Sequence, residues 1–394
     1  MREKKDTMVR GLLEKAMMAR THEELVSYLL QVLALLERDI YLEMNTEDKG
    51  NGFRNRRLHA GSLTYELYIP RTRKGNFRPS FLPDKWKRTV ADDFINLAYS
   101  LILSSKSIES AKRAIRELNL PLSEEYFDRI LEELRKEFKA LNNAPLLQDW
   151  FSLVLDAKHT QIMIDGLIKP YVIYTVVGTS LEWERKILLS LIKEGNENID
   201  MWKKVLGNLI SRGLRRVLII THDDYPGLSK TIESYFTSTD VQLCLVHLIR
   251  NLKRHLTPSM FTKAKEYLHS IKNAVSYEHG FSLFEEMLKI ISEENPDYAK
   301  EIERKKKFYL PFLKYPKELR KSLYSTNLLE GINRKIEDAE KMSGGYFHSL
   351  KHLEIKLSLV FKELHTGRWS KTIPLVAKVK HFLYAVFQER FYND

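Results

Sequence analysis

Cysteine is nearly missing from this chain of 394 residues. Cys244 is the only one, so no internal disulfide can form, and a reducing compartment is expected. Long apolar runs are missing too. No stretch reaches the ~20 consecutive apolar residues that span a bilayer. The first residues, Met1-Arg2-Glu3-Lys4-Lys5-Asp6, lead into no apolar core of the signal-peptide kind. There is no internal repeat and no low-complexity tract. A soluble cytoplasmic protein without a membrane partner is the expectation. Acids are scarce in one place: from Gly52 to Pro83 Glu66 is the sole carboxylate. Over the whole chain 64 Lys and Arg face 52 Asp and Glu, a net charge of +12. A surplus of that size draws polyanions, nucleic acid before an anionic membrane surface.

Residues 8–44 carry a helical pattern, with Leu12, Leu13, Met17, Leu25, Leu29, Leu33 and Leu36 at helical spacings. The basic segment Asn51-Gly52-Phe53-Arg54-Asn55-Arg56-Arg57 reads as turn. Leu63 to Ile69 alternates as a strand does and ends at Pro70-Arg71-Thr72-Arg73-Lys74-Gly75. Phe53, Tyr65, Tyr68 and Phe77 lie among these cations, a composition that suits a phosphate-facing surface. A solvated basic loop has the same composition. Two helices around Asn119-Leu120-Pro121-Leu122 suggest a helix-turn-helix, a pattern any helical hairpin also gives.

The middle of the chain changes character. Phe151–Leu155, Gln161–Leu167 and Tyr171–Val177 read as strands, with Gly166 and Pro170 near a turn. Met201–Arg212 reads as a helix, Arg216–Ile220 as a strand, Gly227–Phe236 as a helix and Val241–Val246 as a strand. The order β-β-β-α-β-α-β joins three short-turn strands to alternating units, so an α+β fold with a mixed sheet is expected. Residues 248–322 return to charged helix, and a last helical block starts at Ser325-Thr326-Asn327.

Asp156 follows the apolar run Leu153-Val154-Leu155, and Asp223 follows Val217-Leu218-Ile219-Ile220. Carboxylates at the ends of adjacent strands can face one point. They repel, and a hard cation between them relieves the cost. With a third carboxylate they can hold two Mg²⁺ ions ~3.5–4 Å apart, the arrangement of in-line phosphoryl transfer. Strand-end aspartates alone more often cap turns. Glu330, three residues after Asn327, imitates a capping box. Cys244-Leu245-Val246-His247 has the spacing of half a zinc site, but the chain offers no second cysteine pair, so no structural zinc is expected. Cys244 should be buried in its strand. His247, just past the strand end, should hydrogen-bond an acid or a phosphate.

Together these pieces resemble the Mutator-type transposases, the bacterial insertion-sequence group with a DDE triad. Asn51-Gly52-Phe53-Arg54 is similar to its Asn-Gly-aromatic-Arg segment and Ile69-Pro70-Arg71-Thr72-Arg73 to its Val-Pro-Arg-x-Arg. Leu155-Asp156-Ala157 resembles the first acid. His222-Asp223-Asp224-Tyr225-Pro226-Gly227-Leu228 resembles the second, with Asp223 or Asp224 as the ligand and His222 where Ser is usual. Cys244-Leu245-Val246-His247 with Arg250-Asn251, and Thr326-Asn327-Leu328-Leu329-Glu330, resemble the remaining motifs.

The resemblance implies a ribonuclease H-like core with a helical insertion, and a reading of Glu330 as third acid rather than cap. It implies catalytic and metal-binding roles for Asp156, Asp223 and Glu330, supported by Cys244 and His247, with two Mg²⁺ or Mn²⁺ ions. The partners it implies are double-stranded DNA bearing terminal inverted repeats and a target DNA, met by a homodimer or higher oligomer at the nucleoid. Expected DNA contacts are Arg54, Arg56, Arg57, Arg71, Arg73, Lys74, Arg250, Lys253, Arg254, Arg334 and Lys335. The expected divisions are a DNA-binding region 1–145, a first core part 146–247, an insertion 248–322 and a core completion 323–394. A DNA-binding regulator descended from such an enzyme and a metal-dependent nuclease that cuts without joining are the rival readings.

Overall fold

The computed structural model describes residues 2–60, 63–82, 92–118, 120, 122–367, 369 and 379–392. They fall into two compact units, Met1–Ile130 and Leu131–Asp394. In the first, α1 (Arg2–Met17) and α2 (His22–Met44) precede a hairpin of β1 (Gly50–Ala60) and β2 (Leu63–Thr72). The helical pattern of residues 8–44 is therefore two helices. Thr21 breaks it: its extended backbone puts the side-chain oxygen on the Glu24 amide, 3.2 Å away, an N-cap. The basic segment read as a turn is strand β1, paired antiparallel with β2 from Phe53↔Pro70 to Ala60↔Leu63. Its turn residues act locally: Gly52 adopts φ 68° where the register shifts, so the strand bulges instead of ending. Tyr65, Leu67 and Ile69 of β2 bury one face under Val26 and Leu30 of α2. Helices α3 (Asp92–Ser104), α4 (Ile108–Glu117) and α5 (Glu124–Leu141) follow. A Ser107–Ser110 capping box opens α4. Asn119 and Pro121 of the suggested helix-turn-helix link lie outside the described residues.

The second unit is built on a five-stranded mixed sheet of order β5-β4-β3-β6-β7. Its strands are β3 (Asp149–Ile164), β4 (Leu167–Ser180), β5 (Arg185–Glu194), β6 (Arg216–His222) and β7 (Asp240–Leu243). Helices α6 (Ile199–Ser211) and α7 (Leu228–Tyr235) connect the last three, so the order is β-β-β-α-β-α-β. The membership of the first three strands differs from the sequence reading. Phe151–Leu155 and Gln161–Leu167 belong to one long strand and its turn, and the third strand is Arg185–Glu194. The turn is Asp165-Gly166, both in the left-handed region (φ 51° and 78°), as a two-residue hairpin with right-handed twist requires. Pro170 lies inside β4, opposite Gln161. Val217, Leu218, Ile219 and Ile220 are fully buried, since both faces of β6 are covered.

Seven short helical segments follow: α8 (Leu245–His255), α9 (Pro258–Lys272), α10 (Tyr277–Glu294), α11 (Pro296–Arg304), α12 (Lys306–Tyr309), a 3-10 turn (Pro311–Lys314) and α13 (Lys317–Leu323). Then α14 (Asn327–Met342), α15 (Leu350–Thr366) and α16 (Lys380–Tyr392) complete the unit. Helix α14 runs beside β3: Thr160 Oγ1 donates to Glu340 Oε1 at 2.7 Å, and Ile162 makes an isolated bridge to Phe347. No helix among the described residues is long and apolar enough to cross a membrane.

Candidate catalytic site

Asp156 is not at a strand end, as the sequence suggested, but in the middle of β3. The antiparallel hairpin with β4 carries β3 onward to Ile164, while its parallel neighbour β6 stops at His222, opposite Leu155. Asp156 is therefore the first residue of β3 beyond that parallel pairing, and Asp223 is the first beyond β6. The two meet at one edge of the parallel half of the sheet, where α/β sheets open crevices.

Asp156 is 9% exposed. Its Oδ1 accepts from the Ala157 amide at 2.8 Å and its Oδ2 from Asn333 Nδ2 of α14 at 2.6 Å. Burial and the charge of Asp223 push its pKa well above the carboxylate range. A cavity of about 200 Å³ opens beside the pair, walled by Glu197, Trp202, Asp224, Tyr225, His247 and Asn251 among others.

Cys244 and His247 do not sit on a strand. β7 ends at Leu243, Cys244 occupies the N-cap position of α8, and His247 lies in its first turn. Main-chain bonding explains the early end: the Cys244 amide still reaches the His222 carbonyl, but the Leu245 amide turns to Tyr324. His247 Nδ1 is 2.7 Å from Asp223 Oδ1. Burial disfavours its imidazolium, but Asp223 and Cys244 outweigh this and raise the ring to about 10. Arg250 Nη1 lies 3.2 Å from Nε2 and donates to the ring when it is neutral. Cys244 is buried, with its sulfur 3.4 Å from Thr326 Oγ1. That hydroxyl donates in turn to Asp223 Oδ1 at 3.2 Å. Thr326 thus ties the Cys-x-x-His motif and the start of α14 to one carboxylate.

Thr326, not Asn327, takes the N-cap position of α14, and no side chain caps it. Glu330 makes no capping box: its Oε1 accepts from Arg250 Nη2 at 2.6 Å. It lies outside the wall of the cavity around Asp156 and Asp223. It is connected to them through a line of contacts, Asp223 to His247 to Arg250 to Glu330. Asp224, in the cavity wall, is engaged by the helical segment, where Lys305 Nζ meets its Oδ2 at 2.6 Å and Tyr309 OH also reaches it. Asp223, and not Asp224, faces Asp156.

Glu197 was not singled out from the sequence. It precedes Asn198, the N-cap of α6, and nothing in Asn196-Glu197-Asn198 departs from ordinary helix-start composition. Burial raises its pKa, Trp202 Nε1 donates to it at 2.8 Å, and the Asp223 charge is felt there too. His222 is buried and lowered to about 4, so its ring is neutral. Its Nδ1 contacts the Asp223 carbonyl at 2.6 Å and its Nε2 the Ser229 hydroxyl at 3.1 Å, which fixes the Asp223 backbone.

The expected DNA-contacting cations are not equivalent. Arg54 is exposed on β1, Arg71 at the end of β2 and Arg73 just after it. Arg57 pairs with Glu66 across the hairpin at 3.1 Å, and Lys74 pairs with Glu47 at 2.7 Å. Arg56 is half-buried. In the second unit Lys253 and Arg254 are exposed in the last turn of α8, Arg334 is exposed on α14, and Lys335 pairs with Glu363 at 2.6 Å.

Comparison with known proteins agrees with the motifs. The sequence pattern of the family described as "Transposase, Mutator family" matches residues 1–371. This chain belongs to that family. It is 24% identical over 365 residues to the "Transposase for insertion sequence element ISRM3" of Rhizobium meliloti (strain 1021), covering 89% of this chain and 87% of that one. It is 27% identical over 327 residues to the "Transposase for insertion sequence element IS406" of Burkholderia multivorans (strain ATCC 17616 / 249), with 79% and 82% covered. Among solved structures, the "Drosophila P element transposase strand transfer complex" aligns over 78% of this chain and 88% of that one. The match has 13% identity and a TM-score of 0.27, too distant to bear on the fold. Membership of the family is shown by the match over residues 1–371.

The donor set fits a hard divalent cation at Asp156 and Asp223. The buried Asp156 carboxyl, raised by burial and by the charge of the half-buried Asp223, is stabilised as the anion when a cation binds between the two. Glu330 fits on one condition, that it exchanges Arg250 for the cation. Asp223, Cys244 and His247 also bring donor atoms within 4.8 Å of one another. Thiolate and imidazole favour zinc over magnesium, yet three donors leave a structural tetrahedron incomplete. The same Asp223 oxygen already accepts from the Thr326 hydroxyl and lies 2.7 Å from His247 Nδ1.

Proposed function

We propose that this chain cleaves the ends of a mobile DNA element and joins them to target DNA, with Asp156, Asp223 and Glu330 as the catalytic carboxylates. The observation that carries the proposal is the buried Asp156 beside Asp223, its pKa driven up by burial and by its neighbour's charge. Membership of the Mutator transposase family supplies the reaction class. The order β-β-β-α-β-α-β with β3 central supports a ribonuclease H-like core, completed by residues 323–394 and interrupted by a helical insertion over 248–322.

Asp156, Asp223 and Glu330 would hold two Mg²⁺ or Mn²⁺ ions. When bound, these would favour ionisation of water or a DNA 3′-hydroxyl and offset charge on the leaving oxygen. The protein's own groups do the rest. Asn333 holds Asp156 by Oδ2, and Thr326 and His247 hold Asp223, so both acids are oriented before DNA arrives. Arg250, released from Glu330, would be free to meet a phosphate. No covalent protein–DNA intermediate is needed. Purified protein incubated with terminal-repeat duplex, target DNA and Mg²⁺ should give joined products on a gel. Cut ends without joining would indicate a nuclease, and binding without cutting a regulator.

His247→Ala should lower turnover about 10- to 100-fold, the usual cost of removing a group that orients a ligand. It should leave the melting temperature nearly unchanged, because His247 is partly exposed. Chelation should stop catalysis without unfolding the protein. Stoichiometric zinc in protein purified without added metal, with a large fall in melting temperature on chelation, would refute this role.

The region 1–145 is proposed as the reader of the inverted repeats, acting as a homodimer or higher oligomer in the cytoplasm at the nucleoid. Arg71, exposed at the end of β2, is assigned to phosphate rather than base. Arg71→Ala should weaken specific and random duplexes alike and reduce the slope of log affinity against log salt by about 1. A loss confined to the specific duplex, at unchanged slope, would mean base readout.

A further inference from the structure

Five carboxylates lie in or beside the Asp156 crevice, and their partners differ. Asp223 is 2.7 Å from His247, Asp224 is 2.6 Å from Lys305 and Glu330 is 2.6 Å from Arg250. Asp156 and Glu197 are held by uncharged donors instead. The side chain of Asp156 accepts from the Ala157 amide and Asn333, and Glu197 Oε1 accepts from Trp202 Nε1. The base paired with Glu197 is His159, 3.9 Å from Oε2 with its side chain 61% exposed. A solvated pair at that distance offsets little charge.

Glu197 is also fixed in place before any ligand arrives. The turn that carries it leaves β5 at Gly195 (φ 102°), whose amide donates to the Pro170 carbonyl at 2.9 Å. The Glu197 carbonyl accepts from Tyr225 OH at 2.9 Å, and the next amide, that of Asn198, donates to Tyr174 OH at 3.1 Å. Its side chain is 18% exposed and shares the cavity of about 200 Å³ with Asp156 and Asp223. The charge of Asp223 reaches both Asp156 and Glu197, and burial opposes the anion of each. Clustered carboxylates with neutral partners are what a hard cation stabilises most, and affinity at such sites follows the number of charged oxygen ligands. Glu330, outside the cavity wall and paired with Arg250, is not available in the same way.

We propose that Glu197 is a fourth metal-binding carboxylate, and that DNA-free protein takes its first divalent cation between Asp156, Asp223 and Glu197, with Glu330 joining only when it leaves Arg250. This rests on the reading of Asp156 and Asp223 as metal ligands.

The test titrates the full chain with Tb³⁺, a hard cation, without DNA and with excitation of tryptophan. Trp202 lines the cavity and donates to Glu197, so an ion there should draw sensitised emission from its indole. Mg²⁺ or Mn²⁺ should displace it. Glu197→Gln keeps the size of the side chain and an acceptor for Trp202. It should weaken Tb³⁺ binding at least about 10-fold, the lower range for losing a group that supports a metal, with far-UV circular dichroism unchanged. Glu330→Gln should bind as the wild type does. Glu197→Asp, which keeps the charge on a shorter arm, should fall between wild type and Glu197→Gln. Trp202→Phe should lose most of the sensitised emission. Wild-type affinity in Glu197→Gln, with binding abolished in Asp156→Asn, overturns the role of Glu197 and leaves the Asp156–Asp223 reading standing. Wild-type affinity in Asp156→Asn overturns both. Glu330→Gln as weak as Glu197→Gln overturns the order of binding, and emission undiminished in Trp202→Phe places the ion elsewhere and overturns the site.

Discussion

Asp156→Asn, Asp223→Asn and Glu330→Gln should each depress DNA cleavage by at least 10²–10³-fold, on the order of losing a principal electrostatic stabiliser, with duplex binding retained. An amide keeps the shape and removes the charge that would hold two cations. Asp224→Asn should stay active, because Asp224 is engaged with Lys305 and Tyr309 rather than with Asp156. An inactive Asp224→Asn beside an active Asp223→Asn would reverse the assignment.

A second readout needs no DNA. A carboxyl whose folded pKa is raised, as for Asp156, contributes stability that is fully present below its unfolded pKa, about 4. That contribution is lost as pH rises toward the folded pKa. Metal-free protein should therefore lose stability over that interval, and Asp156→Asn should be the more stable protein at neutral pH. Mg²⁺ should raise the melting temperature of the wild type and not of the variant. If Asp156→Asn is instead less stable at neutral pH without metal, the repulsion argument fails.

The largest stability effect is expected at Arg320, far from any motif. It is 7% exposed and makes no ion pair among the described residues. Its guanidinium donates to the carbonyls of Tyr315, Ala274 and Leu313 at 3.0, 2.6 and 3.1 Å. These oxygens lie just beyond α9 and around the 3-10 turn, where helical segments leave their last carbonyls without amide partners. One planar cation satisfies all three. Arg320→Ala would strand them in the interior at a cost of about 3–5 kcal/mol, since each unsatisfied buried acceptor costs about 1–3 kcal/mol and the sites are not additive. Urea midpoints measure this. Arg320→Lys should recover only part, because an ammonium cannot reach three acceptors in one plane. Activity should fall as well: α13 leads directly to Tyr324 and Thr326, which position Leu245 and Asp223. A variant within about 1 kcal/mol of wild type, the net worth of one ordinary hydrogen bond, would mean that water replaces the guanidinium without cost.

Much of the site was legible in the residues. The runs ending at Leu155 and Ile220 are apolar because both faces of those strands are covered, so each announced an acid at the same edge of one sheet. The mixed sheet and the alternation after it could be read from periodicity, which is a local property of the backbone. So could the strand-poor stretch 248–322. Periodicity could not say which segments pair. Asp156 read as a strand end because the apolar run stops there; the strand continues because β4 supplies antiparallel partners from residues 167–180. Val241–Val246 is apolar enough for strand, yet it turns helical at Leu245, whose amide finds Tyr324, about eighty positions away in the chain. Segment 51–57 carries turn residues and is nonetheless a strand, since β2 and the apolar face under α2 outweigh the preference of Asn and Gly. Glu330 looked like a cap; Arg250 on another helix gives it a different partner. Glu197 and Arg320 had no local signal at all, because what sets each apart is desolvation and a set of partners assembled from distant segments. Order along the chain, strand and helix periods, and the short acidic motifs are written in neighbouring residues. Which carboxylate faces which, where a strand stops, and which cation neutralises which acid depend on contacts between residues far apart, and these exist only once the chain has folded.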